Sequence, residues 1–147
     1  MNFYISYFYN IRFFPQNLIP VSTAKWDPDW YHNYKGNSHI FLDKRKVING
    51  VRCNGLSPYK INSNCCKSCD KTNYDKCSFL KEYKKFLDSL DFNIVKSVLE
   101  HEISKLRKDA DICLIVHEAP DNNCSERKAL VEWFRENGVE LREWSKC

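Results

Sequence analysis

The sequence predicts one α/β domain built on a partly parallel sheet flanked by helices, and three features carry that prediction. The first is Cys113–Val116, a continuous apolar run of the kind found in strands covered on both faces. The second lies just after it in the chain: Ala129, Leu130, Trp133 and Phe134 at helical spacing, a stop at Asn137-Gly138, then alternation over Val139–Trp144. Strand, helix and strand within residues 111–144 make a right-handed βαβ unit with parallel strands. The third is material: 147 residues with 43% hydrophobic content are enough for one core that offsets the ordering entropy of the chain.

Taken in order, Phe3–Tyr9 is aromatic and branched and reads as a buried strand, and Leu18–Ser22 reads as a second, bent or ended by Pro20. About eight residues separate them, fewer than the dozen a helical crossover needs, so their pairing stays open. Turn residues crowd the stretch from Lys25 to Asn64, with Val47–Arg52 reading as a hairpin around Asn49-Gly50. So long an irregular stretch is usually functional or held by something else, and residues 36–77 read as a cysteine-rich insertion within the single domain 1–147. Beyond Cys77, an apolar stripe of Phe79, Leu80, Tyr83, Phe86, Leu87 and Leu90 predicts one helix. Val95, Val98, Leu99, Ile103 and Leu106 predict another, with Asp91 as its N-cap.

The net charge of +4 is mild and the basic residues are interleaved with acids, as in Lys81-Glu82-Tyr83-Lys84-Lys85. That excludes a duplex-DNA binder with one dedicated basic face and leaves room for a small anionic ligand. Residues 1–21 are interrupted by Asn2, Asn10, Arg12, Gln16 and Asn17 and lack a basic start and a cleavage site. They therefore read as neither signal peptide nor membrane span. Eight cysteines without a secretory signal point to the reducing cytoplasm, where clustered thiols bind metal more often than they pair.

Cys66-x2-Cys69-x7-Cys77 is such a cluster. A two-residue gap lets one tight turn present two sulfurs to a tetrahedral ion, so the spacing predicts a structural zinc. Cys53, Cys65 and His39 compete for the fourth ligand, with Cys53 taken as the working choice because it leaves the expected hairpin. Reduced cysteines without metal, or an iron–sulfur cluster on the same thiolates, are the alternatives.

The loop His117-Glu118-Ala119-Pro120-Asp121-Asn122-Asn123-Cys124-Ser125-Glu126-Arg127 leaves a strand's carboxyl end and opens a helix, where α/β folds bind ligands. Asn123 and Glu126 have capping-box spacing, which leaves backbone N–H groups near Cys124 and Ser125 to an anion. The helix dipole contributes about 0.3–1 kcal/mol, too little to ionise Cys124, so a nucleophilic role there needs a cation such as Arg127 or Arg12. Glu118 is the candidate acid or base, and Arg12, Ser125 and Arg127 are the candidate anion binders. Trp26-Asp27-Pro28-Asp29-Trp30-Tyr31 reads either as a packed corner or as a platform for a nucleobase.

Glu118, Pro120 and Cys124, with Asn10-Ile11-Arg12-Phe13-Phe14-Pro15 after the first strand, resemble the domain-of-unknown-function 488 family. In that family an acidic strand end and a proline precede a cysteine–histidine–arginine triplet. Here Ser125 and Glu126 stand where the family has histidine and arginine, so Arg127 is displaced by one residue, about 100° around a helix. The resemblance spans residues 3–23 and 78–144 and implies a Rossmann-like layered fold with a pocket at this loop. Three functions fit: an enzyme acting on a nucleotide-like or other phosphate-bearing substrate, a binding module using the same helix start, or a zinc-stapled interaction protein. The last would contact nucleic acid through Lys25, Arg52, Lys60 and the tryptophans.

Overall fold

The computed structural model describes residues 1–32, 39–43, 46–61, 77–121 and 125–146, with backbone alone at 29, 32, 39–43 and 46–51. The chain runs through β1 (Phe3–Tyr7), the 3-10 helix η1 (Phe8–Phe13), β2 (Leu18–Ser22), η2 (Asp29–His32), β3 (His39–Asp43), β4 (Lys46–Arg52) and η3 (Asn54–Leu56). It continues through α1 (Ser78–Asp88), α2 (Phe92–Leu106), β5 (Asp111–Val116), α3 (Glu126–Glu136) and β6 (Arg142–Glu143). The strands form one sheet in the order β3-β4-β2-β5-β1-β6. All neighbours from β4 to β6 pair in parallel, and β3 lies antiparallel on β4.

The apolar run of β5 explains its central place. Ile112 to Val116 are all fully buried because β1 and β2 bond it from either side and side chains cover both faces. Even-numbered Ile112, Leu114 and Val116 join Phe3, Ile5, Ile19 and Val21 under α1, α2 and α3. Odd-numbered Cys113 and Ile115 join Leu18, Phe8, Ile11, Phe14 and Tyr31 on the opposite face, which the 3-10 helices cover. Among the described residues the α-helices thus occupy one face only, with Phe92 of α2 packed edge-on to Trp133 and Phe134 of α3 at 5.0 Å.

The α3 terminus is set locally. Gly138 adopts φ 80°, and its N–H donates to Arg135 O while Val139 N–H donates to Phe134 O, the two bonds of a Schellman motif. Asp91 caps α2 by accepting from the N–H groups of Asn93 and Ile94.

Several expectations need correction. Asn49-Gly50 is no hairpin turn: both residues lie inside β4, opposite Ile40 and His39, and the β3–β4 ladder ends instead at the pair Asp43 and Lys46. Residues 36–77 are not wholly irregular, because β4 extends the central sheet through Val51 and Arg52 against Val21 and Ser22. Pro20 does not end β2. The β4 ladder begins only at Val21, so proline's missing N–H is tolerated, and Pro20 O accepts from the Tyr31 hydroxyl. The strand Phe3–Tyr9 stops at Tyr7, where η1 begins. At about 2.0 Å per residue, a 3-10 helix covers more distance than an α-helix, which lets this short link carry the chain across β5 to β2. On α2, Phe92, Leu99 and Ile103 are buried, whereas Val98 is 55% exposed, being about 100° around the helix from Leu99.

Candidate functional site

Parallel pairing delivers the carboxyl ends of β1, β2, β4 and β5 to one edge of the sheet, where ligands bind in open α/β folds. The loops leaving these ends are tied to each other. Thr23 N–H donates to Ile115 O and Cys53 N–H donates to Ser22 O.

Arg52, the last residue of β4, organises one half of this edge. Its Nη1 donates to Asp27 Oδ1 at 2.9 Å, Nη2 to Ser57 Oγ at 3.0 Å and Nε to Asn54 Oδ1 at 2.6 Å. The Asp27 carboxylate side chain is only 2% exposed and also accepts from Ser22 Oγ. Ser57 Oγ passes the chain of bonds on to Ala24 O, and Lys25 Nζ donates to Ile61 O. The two cations therefore fasten the β2 and β4 loops together, whereas the sequence offered them as contacts for nucleic acid.

The other half is built where β5 gives way to α3. Ser125 is the N-cap: its Oγ accepts from Arg127 N–H and donates to Glu118 Oε2, both at 3.1 Å. The expected capping box of Asn123 and Glu126 is thus replaced by Ser125, two residues later, and Asn123 lies outside the described residues. Arg127 is buried, at 6% exposure. Its Nη1 donates to Glu118 O at 2.6 Å and its Nε lies 2.6 Å from Glu143 Oε1. Nη2 is buried with no hydrogen-bond partner among the described residues.

Glu126 is 5% exposed in the first turn of the same helix. Burial, reinforced by the Glu118 charge and opposed by Arg127 and Lys25, pushes its carboxyl up from 4.5 to about 8. Burial thus favours the protonated form of Glu126, in the first turn of the helix whose N-cap Ser125 donates to Glu118. Burial also raises Glu143, against the pull of Arg127. His117 Nε2 contacts Trp26 O. A carbonyl only accepts, so that nitrogen carries the proton.

No family model, curated protein or solved structure matches this chain. Its site rests on geometry.

Of the candidate residues, Glu118, Ser125 and Arg127 meet. Arg12 does not join them: its Nε donates to Tyr9 O, its guanidinium lies 4.2 Å from the Tyr9 ring centroid, and η1 packs on the face opposite α3. Cys124, Cys66 and Cys69, with the alternative ligand Cys65, lie outside the described residues. Cys53 is half-buried and Cys77 buried, and burial raises the Cys53 thiol. No three His, Cys, Asp or Glu side chains among the described residues gather as a metal site. No helix among them is long and apolar enough to cross a membrane.

The sequence reading missed Asp27, Glu126 and Glu143 as site residues. For Glu126 a signal existed: Glu126, Ala129, Leu130 and Trp133 follow i, i+3, i+4, i+7, which puts the carboxyl on the buried stripe. No local pattern joins Asp27 to Arg52 or Arg127 to Glu143.

Proposed function

We propose that this edge of the sheet binds a small phosphate-bearing, nucleotide-like ligand at the start of α3, with Ser125 and Arg127 as the anion-binding groups. The observation that carries the reading is the Nη2 of Arg127, buried and without a hydrogen-bond partner among the described residues, at the positive end of a helix. An unsatisfied buried donor costs about 1–3 kcal/mol, and a bound anion oxygen would remove that cost. Glu118 and Cys124 are the groups proposed for chemistry, with Glu126, whose carboxyl burial pushes up, as a proton donor next to them. Arg12 is left out because its contacts lie on the other face.

Membership of the domain-of-unknown-function 488 family and its Rossmann-like layering belong to the same proposal, supported by the parallel sheet and by Glu118 at its carboxyl edge. So does a structural zinc on Cys53, Cys66, Cys69 and Cys77. Ile61 supports it, packing both on the cluster that holds Cys77 and, like Cys53, on the main core.

Thermal denaturation in inorganic phosphate and in nucleoside mono-, di- and triphosphates tests the anion site. Stabilisation follows RT ln(1 + [L]/Kd), about 2.7 kcal/mol at one hundred times Kd. We expect it to shrink in Ser125→Ala and Arg127→Lys. A melting temperature that no phosphate species raises, against chloride at matched ionic strength, refutes the reading. Product analysis by chromatography then separates turnover from binding.

A further inference from the structure

A cavity of about 520 Å³ opens beside this site, lined by Lys25, Trp26, Asp27, Arg52, Asn54 and Tyr59. Its walls are unusual for a surface whose core is well filled. Trp26 is 72% exposed and Tyr59 is 50% exposed, two large rings that face water on loops leaving β2 and β4. Its floor is the opposite: Asp27 and Arg52 are locked by the bonds to Ser22, Asn54 and Ser57 and cannot collapse into the space. A rigid polar floor below exposed aromatic walls is the arrangement that receives a planar ring by stacking. The Asn54 amide nitrogen has no hydrogen bond among the described residues, so a donor for a ring edge stands at the rim.

One wall residue of the cavity, Trp26, is tied through its backbone to the loop that precedes the helix start. His117 Nε2 holds Trp26 O, and the next residue, Glu118, accepts from Arg127 through its carbonyl. Lys25, on the cavity wall, is close enough to Glu126 to act on its carboxyl. We infer that the cavity is a nucleobase subsite: the ring of a nucleotide stacks on Trp26 and Tyr59 while its phosphate reaches Arg127. This rests on the anion reading above and narrows its ligand from phosphate esters in general to nucleotides.

Calorimetric titration of the full chain with AMP, adenosine and inorganic phosphate separates the two claims. Trp26→Ala and Tyr59→Ala remove exposed side chains, so both variants should fold, which circular dichroism checks. We expect adenosine and AMP to bind, and AMP affinity to fall about five- to hundred-fold in Trp26→Ala while phosphate affinity holds. AMP affinity unchanged in both variants overturns the subsite. Phosphate binding without adenosine binding also overturns it and leaves the anion reading standing. Adenosine binding as tightly as AMP, with loss in Trp26→Ala, keeps the subsite and sinks the anion reading instead.

Discussion

Arg127 Nη1 donates to the Glu118 carbonyl at 2.6 Å, so the first turn of α3 is latched to the loop that leaves β5. The same guanidinium reaches Glu143 on β6, and one side chain thereby joins both ends of the βαβ unit.

Arg127→Ala should therefore destabilise the fold. Removing one partner of a buried charge pair costs about 3–5 kcal/mol, and the 35% exposure of the Glu143 side chain lowers this to roughly 2–4 kcal/mol. Urea denaturation of wild type and variant measures it. A loss under about 1 kcal/mol would show that the latch contributes little.

Arg52→Ala should cost at least as much, because it leaves the Asp27 carboxylate, 2% exposed, without its cation. The double variant Arg52→Ala, Asp27→Asn should recover part of the loss, since the buried charge is then gone. A double-mutant cycle with no coupling would refute the role assigned to this pair.

Glu126 predicts a pH dependence whose sign is fixed. Its folded carboxyl titrates at about 8 against 4.5 ordinarily, so between those values the unfolded chain releases a proton that the folded chain keeps. This group's effect is a stability that falls as pH rises from 4.5 to about 8 and levels off above. Glu126→Gln should flatten the slope and be more stable than wild type at pH 9, by on the order of a few kcal/mol. Parallel slopes in thermal melts across pH 5–9 would refute the shift.

The zinc proposal predicts about one zinc per purified chain by elemental analysis. Cys69→Ser should lower the melting temperature far more than Cys147→Ser, because only the former opens the site. Protein purified without chelator that carries no metal would end this proposal.

Much of the fold was legible in short-range patterns. The stripe Phe79, Leu80, Tyr83, Leu87 became the buried face of α1, Asp91 became the cap of α2, and Asn137-Gly138 became the Schellman end of α3. Each depends on spacing or backbone chemistry within a few residues. Asn49-Gly50 misled because a turn-forming pair can still be drawn into a strand when a neighbour pairs along it, here β3 opposite both residues, with β2 taking up the next two positions of β4. The candidate site was legible in part: Glu118, Ser125 and Arg127 were expected together and do meet, while Arg12 was expected with them and is carried to the other face by η1.

The sequence by itself determined that residues 3–7, 18–22 and 111–116 lie in strands, that the apolar stripes at 79–90, 95–106 and 129–134 become helices, and where α2 starts and α3 stops, because apolar periodicity and capping act over one or two turns of chain. Only the tertiary structure decided that β5 sits between β1 and β2, that Arg52 finds Asp27 and that Glu126 keeps its proton. Strand order depends on contacts between residues some ninety or more positions apart, and ionisation depends on the solvent that such contacts exclude.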